Sequence, residues 1–191
     1  MLNGRNEISF YSEIEEFIEN QLKSNFRANN KEDIDVFWGI GELKTTLNQI
    51  ISNNPQKCSC AKQYAQKVPP LNLDISALIT DGNKFEILIL EIKLMQSVGL
   101  KEWSQLVGYC LVSEAKYGLL INIDNGASSR LSQILSMKEH ISNIKELVNE
   151  NIKEHLLGFM RYDTVTHSFD YSNLGKIKSI SDLCNKIISD F

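Results

Sequence analysis

Residues 73–94 read LDISALITDGNKFEILILEIKL, and this stretch decides the fold class that we expect. Two runs rich in Ile and Leu flank the segment Asp81-Gly82-Asn83. Each run is shorter than a typical helix, and the segment between them has the composition of a tight turn. The pattern therefore predicts two strands joined as an antiparallel hairpin.

Three charged residues interrupt these apolar runs. Asp74 lies in the first run, and Glu91 and Lys93 end the second. A loop of residues 82–83 or 81–84 would place Asp74 opposite Glu91, where Cβ atoms are roughly 5 Å apart and like charges destabilise a sheet. Lys93 shares the face of Glu91 because side chains alternate along a strand. Two carboxylates and an ammonium at one edge predict a site for a divalent metal and an anionic substrate.

This arrangement resembles the PD-(D/E)xK nuclease superfamily, which has the restriction-endonuclease-like fold. The resemblance implies an α/β domain with a central mixed sheet flanked by helices, and Mg²⁺ or Mn²⁺ as the cofactor. It also implies that Asp74, Glu91 and the main-chain carbonyl of Ile92 ligate the metal, and that Lys93 orients or activates the attacking water. The family often has proline directly before the aspartate, whereas Pro70 lies four residues before Asp74 here.

A predicted helix follows the second strand. Its apolar positions, from Trp103 to Leu111, recur at the spacing of one helix face. Gln105 and Tyr109 are four residues apart and so share one side of this helix. RecB-like members of the superfamily carry a Q-x-x-x-Y pair on this helix beside the active site, so the resemblance adds both residues to the candidate site. The alternative is an ordinary pair at the boundary of an amphipathic helix.

The resemblance also calls for an acidic residue upstream, because the first core helix of the superfamily often lends a glutamate to the metal site. An amphipathic helix is predicted over residues 10–24, with Ser12 and Glu15 spaced as a capping box. Glu15 lies nearest the apolar stripe and is the favoured metal ligand. Glu13 and Glu42 are alternatives, and acidic residues at a helix start also favour the helix dipole without any further role.

We expect one domain over residues 1–191, with a core of about 10–125 and a C-terminal elaboration of about 126–191. The other elements predicted for the core are a short strand over 35–38, a helix over 42–51, a polar segment of uncertain structure over 56–70 and a buried strand over 117–123. The elements predicted for the elaboration are a long helix over about 128–156, with a break near His140 or at Asn151 as the alternative, a hairpin over 159–171 and a closing helix over 180–188.

Composition limits the function classes. The formal net charge of −4 argues against a generic nucleic-acid coat protein but not against a nuclease with a local basic patch. Candidates for DNA contacts are the scattered basic residues Lys62, Lys67, Lys101, Arg130, Lys138 and Arg161. Cys58 and Cys60 form a close pair without the partners of a zinc site, so reduced thiols are expected. No run is long and apolar enough to span a membrane, and no signal peptide is visible, so we expect a cytoplasmic protein.

The expected function is Mg²⁺-dependent hydrolysis of DNA phosphodiester bonds, by an endonuclease of restriction-modification or a repair nuclease. A homodimer or a partner subunit would suit cleavage of both strands. The first alternative is a catalytically inactive nuclease-fold module with an interaction or immunity role. The second is a structural subunit whose acidic surface mimics or repels nucleic acid.

Overall fold

The structure is a computed structural model that describes residues 5–148 and 150–191. Six α-helices occur among these residues: α1 (Tyr11–Ala28), α2 (Leu43–Asn53), α3 (Lys62–Lys67), α4 (Leu100–Ser113), α5 (Ser129–Met137) and α6 (Ile180–Asp190). Seven strands accompany them: β1 (Asp35–Glu42), β2 (Asn72–Thr80), β3 (Phe85–Lys93), β4 (Tyr117–Ile123), β5 (Asn143–Val148), β6 (Asn151–Asp163) and β7 (Ser168–Phe169). Short 3₁₀ turns lie at Glu7–Phe10, Ser59–Ala61 and Glu139–Ile141.

The strands form one open mixed sheet. Its order is β1-β2-β3-β4-β6-β5, and β7 pairs with part of β6. Strands β1, β2 and β3 are antiparallel neighbours, β4 and β6 run parallel to β3, and β5 returns antiparallel to β6. The expected α/β class, with a central mixed sheet flanked by helices, is therefore confirmed.

The β2–β3 hairpin has the predicted register. Thr80 pairs with Phe85 and Ile75 pairs with Leu90, so the loop consists of residues 81–84. Within the loop, Asp81 Oδ1 accepts hydrogen bonds from the backbone N–H groups of residues 83 and 84 at 2.8 and 2.9 Å. Gly82 has a φ of +91°, which residues with a side chain rarely adopt. These local bonds fix where the chain reverses.

Each face of the sheet is covered by a separate apolar core. On β3, Leu88, Leu90 and Ile92 point into the first core, which α1 and α6 cover. Ile87 and Ile89 point into the second core, which α2, α3, α4 and α5 cover. Because side chains alternate along a strand, Glu91 and Lys93 at the end of β3 lie on the same face as Ile87 and Ile89.

The long helix predicted over residues 128–156 is wrong. Helix α5 ends at Met137, and residues 143–148 and 151–163 form β5 and β6 instead. Strand β6 lies between β4 and β5, and its residues Leu157 to Met160 are buried. The residues misread as helix precede this buried run. Their apolar positions Ile144, Leu147, Val148 and Ile152 follow a helical spacing, but the antiparallel pairing of β5 with β6 decides their structure.

Other predictions held with shifted bounds. Strand β4 has the predicted bounds of 117–123, and helix α6 extends two residues beyond the predicted 180–188. The polar segment 56–70 contains α3 and a 3₁₀ turn. The capping box predicted at Ser12 is absent. A 3₁₀ turn capped by the side chain of Asn6 precedes α1, and the N-cap residue of α1 is Phe10.

A glycine contact tests the packing of β6. A Cβ atom added at Gly158 would overlap the main-chain oxygen of Ile177, whereas one added at Gly108 on α4 would meet nothing within 4 Å. We expect Gly158→Ala to lower the free energy of unfolding by about 1–3 kcal/mol, because the backbone must shift. Gly108→Ala should raise it by roughly 0.5–1 kcal/mol, the helix-propensity gain. Urea denaturation of both variants checks this, and equal stabilities would contradict the close approach.

Candidate active site

Polar groups converge where β2 begins and β3 ends. The ammonium Nζ of Lys93 lies 2.6 Å from Glu91 Oε1 and 3.3 Å from Asp74 Oδ2. The same Nζ donates a hydrogen bond to the main-chain oxygen of Ile92 at 2.8 Å. The structure thus brings together Asp74, Glu91, Ile92 and Lys93, the four residues of this hairpin that the sequence placed in one site.

The Asp74 carboxylate is held by donors on both of its oxygens. The hydroxyl of Tyr11 donates to Oδ1 at 2.6 Å, and the backbone N–H of Ile92 donates to Oδ2 at 2.8 Å. Only 20% of the Asp74 side chain is exposed. The aspartate therefore has a defined orientation within the site, and the helix that supplies Tyr11 contributes to it.

Glu7 is the third carboxylate of the site, and the sequence analysis did not identify it. Its Oε2 accepts a hydrogen bond from the backbone N–H of Leu94 at 3.2 Å, and its Oε1 lies 3.9 Å from Lys93 Nζ. It belongs to the 3₁₀ turn before α1, which Asn6 caps. The sequence contained a signal for this turn, since Asn is a strong N-cap residue and Asn6 directly precedes an acidic residue.

The charges around Lys93 do not balance. Asp74, Glu91 and Glu7 can carry three negative charges against one positive charge, which leaves an excess of two. Glu91 is only 1% exposed, and this burial raises its pKa; burial likewise raises the pKa of Glu7. Burial opposes the charged form of Lys93, but the nearby carboxylates outweigh it and hold its pKa above the ordinary value. The site thus retains an ammonium and favours additional positive charge.

The donor set suits a hard divalent cation. Carboxylate and carbonyl oxygens are the ligands that Mg²⁺ and Mn²⁺ prefer. Glu91 Oε1 is buried and is held by its ion pair with the Lys93 ammonium at 2.6 Å. No three His, Cys, Asp or Glu side chains in the described chain form a metal-binding group by themselves. The Ile92 carbonyl is therefore needed to complete a set of three oxygens with Asp74 and Glu91.

Glu15, the favoured upstream ligand, is not brought into this cluster. It lines a separate cavity of about 400 Å³ with Trp38 and Gln49, at the outer edge of β1. Burial raises its pKa, and the charged neighbour that adds to this effect is Glu19. The alternatives also lie elsewhere: Glu13 accepts hydrogen bonds from Tyr162 and His167, and Glu42 accepts one from Thr45.

Gln105 and Tyr109 form a pair on α4, as predicted. Gln105 Nε2 donates to the Tyr109 hydroxyl at 2.9 Å, and both side chains are half-buried. Among the described residues, neither makes a hydrogen bond or an ion pair with Asp74, Glu91 or Lys93. The pair is thus present as a local hydrogen bond, and its role at the site stays a prediction.

The basic residues proposed for DNA contacts divide into two groups. Arg161 is ion-paired with Asp163 and Asp170, each at 2.9 Å. The other candidates are exposed side chains: Lys62, Lys67, Lys101, Arg130 and Lys138. All four cysteines are free, and Cys58, Cys110 and Cys184 are buried.

Comparison with known proteins adds no assignment. No protein-family model, no curated protein and no solved structure matches this chain. In the part of the chain that the structure describes, each helix is too short or too polar to cross a membrane. Any function must therefore be argued from the geometry of the site itself.

The buried charge of Glu91 predicts a pH-dependent stability difference. Because its folded-state pKa is raised above 4.5, ionised Glu91 destabilises the fold as the pH rises through that pKa, and the protonated form does not. We expect Glu91→Gln, which mimics the protonated form, to be more stable than the wild type by on the order of 1 kcal/mol at pH 8. The advantage should disappear towards pH 4.

Denaturation curves from pH 4 to pH 8 without divalent ions measure this difference. Glu16→Gln, at an exposed position on α1, is the control for loss of a carboxylate that is not buried. If the wild type instead became more stable than Glu91→Gln as the pH rises, the ion pair with Lys93 would outweigh the cost of burying Glu91.

Proposed function

We propose that this protein is a metal-dependent nuclease that hydrolyses DNA phosphodiester bonds, of the PD-(D/E)xK type with a restriction-endonuclease-like fold. Its biological setting would be DNA defence or repair. The mixed sheet flanked by helices and the Asp74, Glu91 and Lys93 cluster support the proposal. No reaction other than phosphodiester hydrolysis has a comparable group of residues behind it in the described chain.

One observation carries the proposal. Asp74 Oδ2, Glu91 Oε1 and the Ile92 carbonyl oxygen all lie within 3.3 Å of a single positively charged atom, Lys93 Nζ. These are the three atoms that the resemblance names as metal ligands. Their convergence on one cation is what a common ligand set requires.

The residues present fit a divalent ion in charge and in chemistry. Asp74, Glu91 and the Ile92 carbonyl would hold it, and an ion of charge +2 would match the excess of negative charge around Lys93. When bound, such an ion polarises a phosphoryl oxygen and lowers the pKa of an attached water. Glu7 supplies a further carboxylate beside the same point, and we propose it in place of Glu15 as the upstream acidic residue.

Lys93 has two roles in this proposal. Before a metal binds, its ammonium keeps the carboxylates from repelling one another. Its flexible four-carbon stem with three rotatable donors then allows it to turn from the carboxylates to a phosphate oxygen or to the attacking water. There the ammonium would stabilise the negative charge that develops during hydrolysis.

Since Lys93 contacts the atoms that would bind the metal, the two cations compete. We expect Lys93→Met to bind Mn²⁺ about tenfold more tightly than the wild type, a gain of ~1.4 kcal/mol. Isothermal titration calorimetry measures both dissociation constants, and Lys57→Met, which removes an ion-paired lysine at Asp35, is the control. Weaker binding by Lys93→Met would contradict competition at a shared point.

The activity itself is tested by incubating supercoiled, linear and single-stranded DNA with the protein in Mg²⁺, Mn²⁺ or EDTA. We expect cleavage with either metal and none with EDTA. Asp74→Asn, Glu91→Gln and Lys93→Ala should each lower the rate at least about 100-fold, because each removes charge from the reacting region. Discrete fragments would indicate a site-specific endonuclease, and shortening from the ends a processing nuclease.

Two upstream variants complete this experiment. Glu7→Gln should slow cleavage, and Glu15→Gln should leave it unchanged, because Glu15 faces a different cavity. The reverse result would restore Glu15 as the functional glutamate. Absence of both cleavage and metal binding in the wild type would favour an inactive interaction module.

A further inference from the structure

Tyr11 is a buried residue at the site for which the proposed chemistry has so far given no role. It is 6% exposed, and its ring packs in the first core with Phe10 and Ile14. Its hydroxyl lies 2.6 Å from Asp74 Oδ1 and 3.5 Å from Glu7 Oε1. One hydroxyl carries one hydrogen, and the shorter distance assigns that hydrogen to Asp74.

The hydrogen bonds of Asp74 change if a metal binds. The carboxylate now has three donors: Tyr11 on Oδ1, and the Ile92 N–H and Lys93 on Oδ2. A metal that takes the place of the lysine ammonium leaves two of them. With the Ile92 N–H alone, the carboxylate could rotate about a single hydrogen bond. With Tyr11 on the other oxygen, both oxygens are fixed, and so is the plane of the carboxylate.

We infer that Tyr11 is a positioning residue that fixes the orientation of the Asp74 carboxylate for a divalent cation. The inference rests on the proposed function and adds to it a residue from α1, 63 positions away in the chain. Tyr11 does not ligate the metal and does not contact the nucleic acid. It acts through Asp74, as hydrogen-bond partners of metal ligands generally do.

The chain offers a matched control for this role. Tyr117 is also buried, at 0% exposure, and its hydroxyl donates to the carboxylate of Asp190. It pairs with Leu88, five residues before Lys93 on β3, and so lies towards the other end of the sheet. Tyr11→Phe and Tyr117→Phe therefore remove the same type of hydrogen bond, and only the first is at the candidate site.

The test measures Mn²⁺ binding by calorimetry, without substrate, together with thermal unfolding of the metal-free proteins. Phenylalanine retains the ring, so both variants should fold with a lower Tm. We expect Tyr11→Phe to weaken Mn²⁺ binding about tenfold, the lower end of the ~10–100-fold range for partners of metal ligands. Tyr117→Phe should bind Mn²⁺ like the wild type. A purely structural role would lower Tm without changing the affinity of the folded protein.

Cleavage assays extend the same comparison. Raising the Mn²⁺ concentration should restore most of the activity of Tyr11→Phe, and its KM for DNA should equal that of the wild type. If Tyr11→Phe bound Mn²⁺ as tightly as the wild type, or if Tyr117→Phe lost as much Mn²⁺ affinity, the inference about Tyr11 would fail. The proposed function would still stand. A wild type that binds no Mn²⁺ would overturn the proposed function, and the role of Tyr11 with it.

Discussion

The register of the β2–β3 hairpin is the constraint on which both the fold and the candidate site depend. Side chains alternate along a strand, so a slip of one residue would exchange every buried and exposed position of that strand. The observed register directs Leu88, Leu90 and Ile92 into one core and Ile87 and Ile89 into the other, and Glu91 and Lys93 continue the second of these rows. The bonds that Asp81 accepts in the loop set this register locally, and the two cores enforce it.

The same register makes the site costly for the fold. It holds two carboxylates, Asp74 and Glu91, at the end of an apolar hairpin, and the burial of Glu91 disfavours its charged form. The compensation is specific: Lys93 supplies charge, and the backbone N–H of Ile92 and the hydroxyl of Tyr11 donate hydrogen bonds to Asp74. A protein without use for these charges would be more stable with apolar residues there, since buried ion pairs are often replaceable by well-packed apolar side chains.

The sequence predicts the parts of the structure that are determined by interactions between residues close together in the chain, and it fails where distant residues decide the structure. The hairpin, α4 and β4 follow from local patterns, and so does the approach of Asp74 to Lys93. Glu7 reaches the site through a 3₁₀ turn that the capping pattern at Ser12 concealed. Strand β5 and the first part of β6 were predicted as helix because Ile144, Leu147, Val148 and Ile152 follow a helical spacing, whereas the pairing of β6 with β4 and β5 decides their structure.

Tyr11 and Glu7 extend this argument from structure to function. Both come from the N-terminal segment, and both reach the hairpin only when α1 packs on the first core. Asp74 then gains its second fixed oxygen, and Lys93 gains its third carboxylate neighbour. A fragment that forms the hairpin without α1 would hold Asp74, Glu91 and Lys93 close together but would leave Asp74 free to rotate. The site is therefore a product of tertiary packing, although its most recognisable residues lie within 24 positions of sequence.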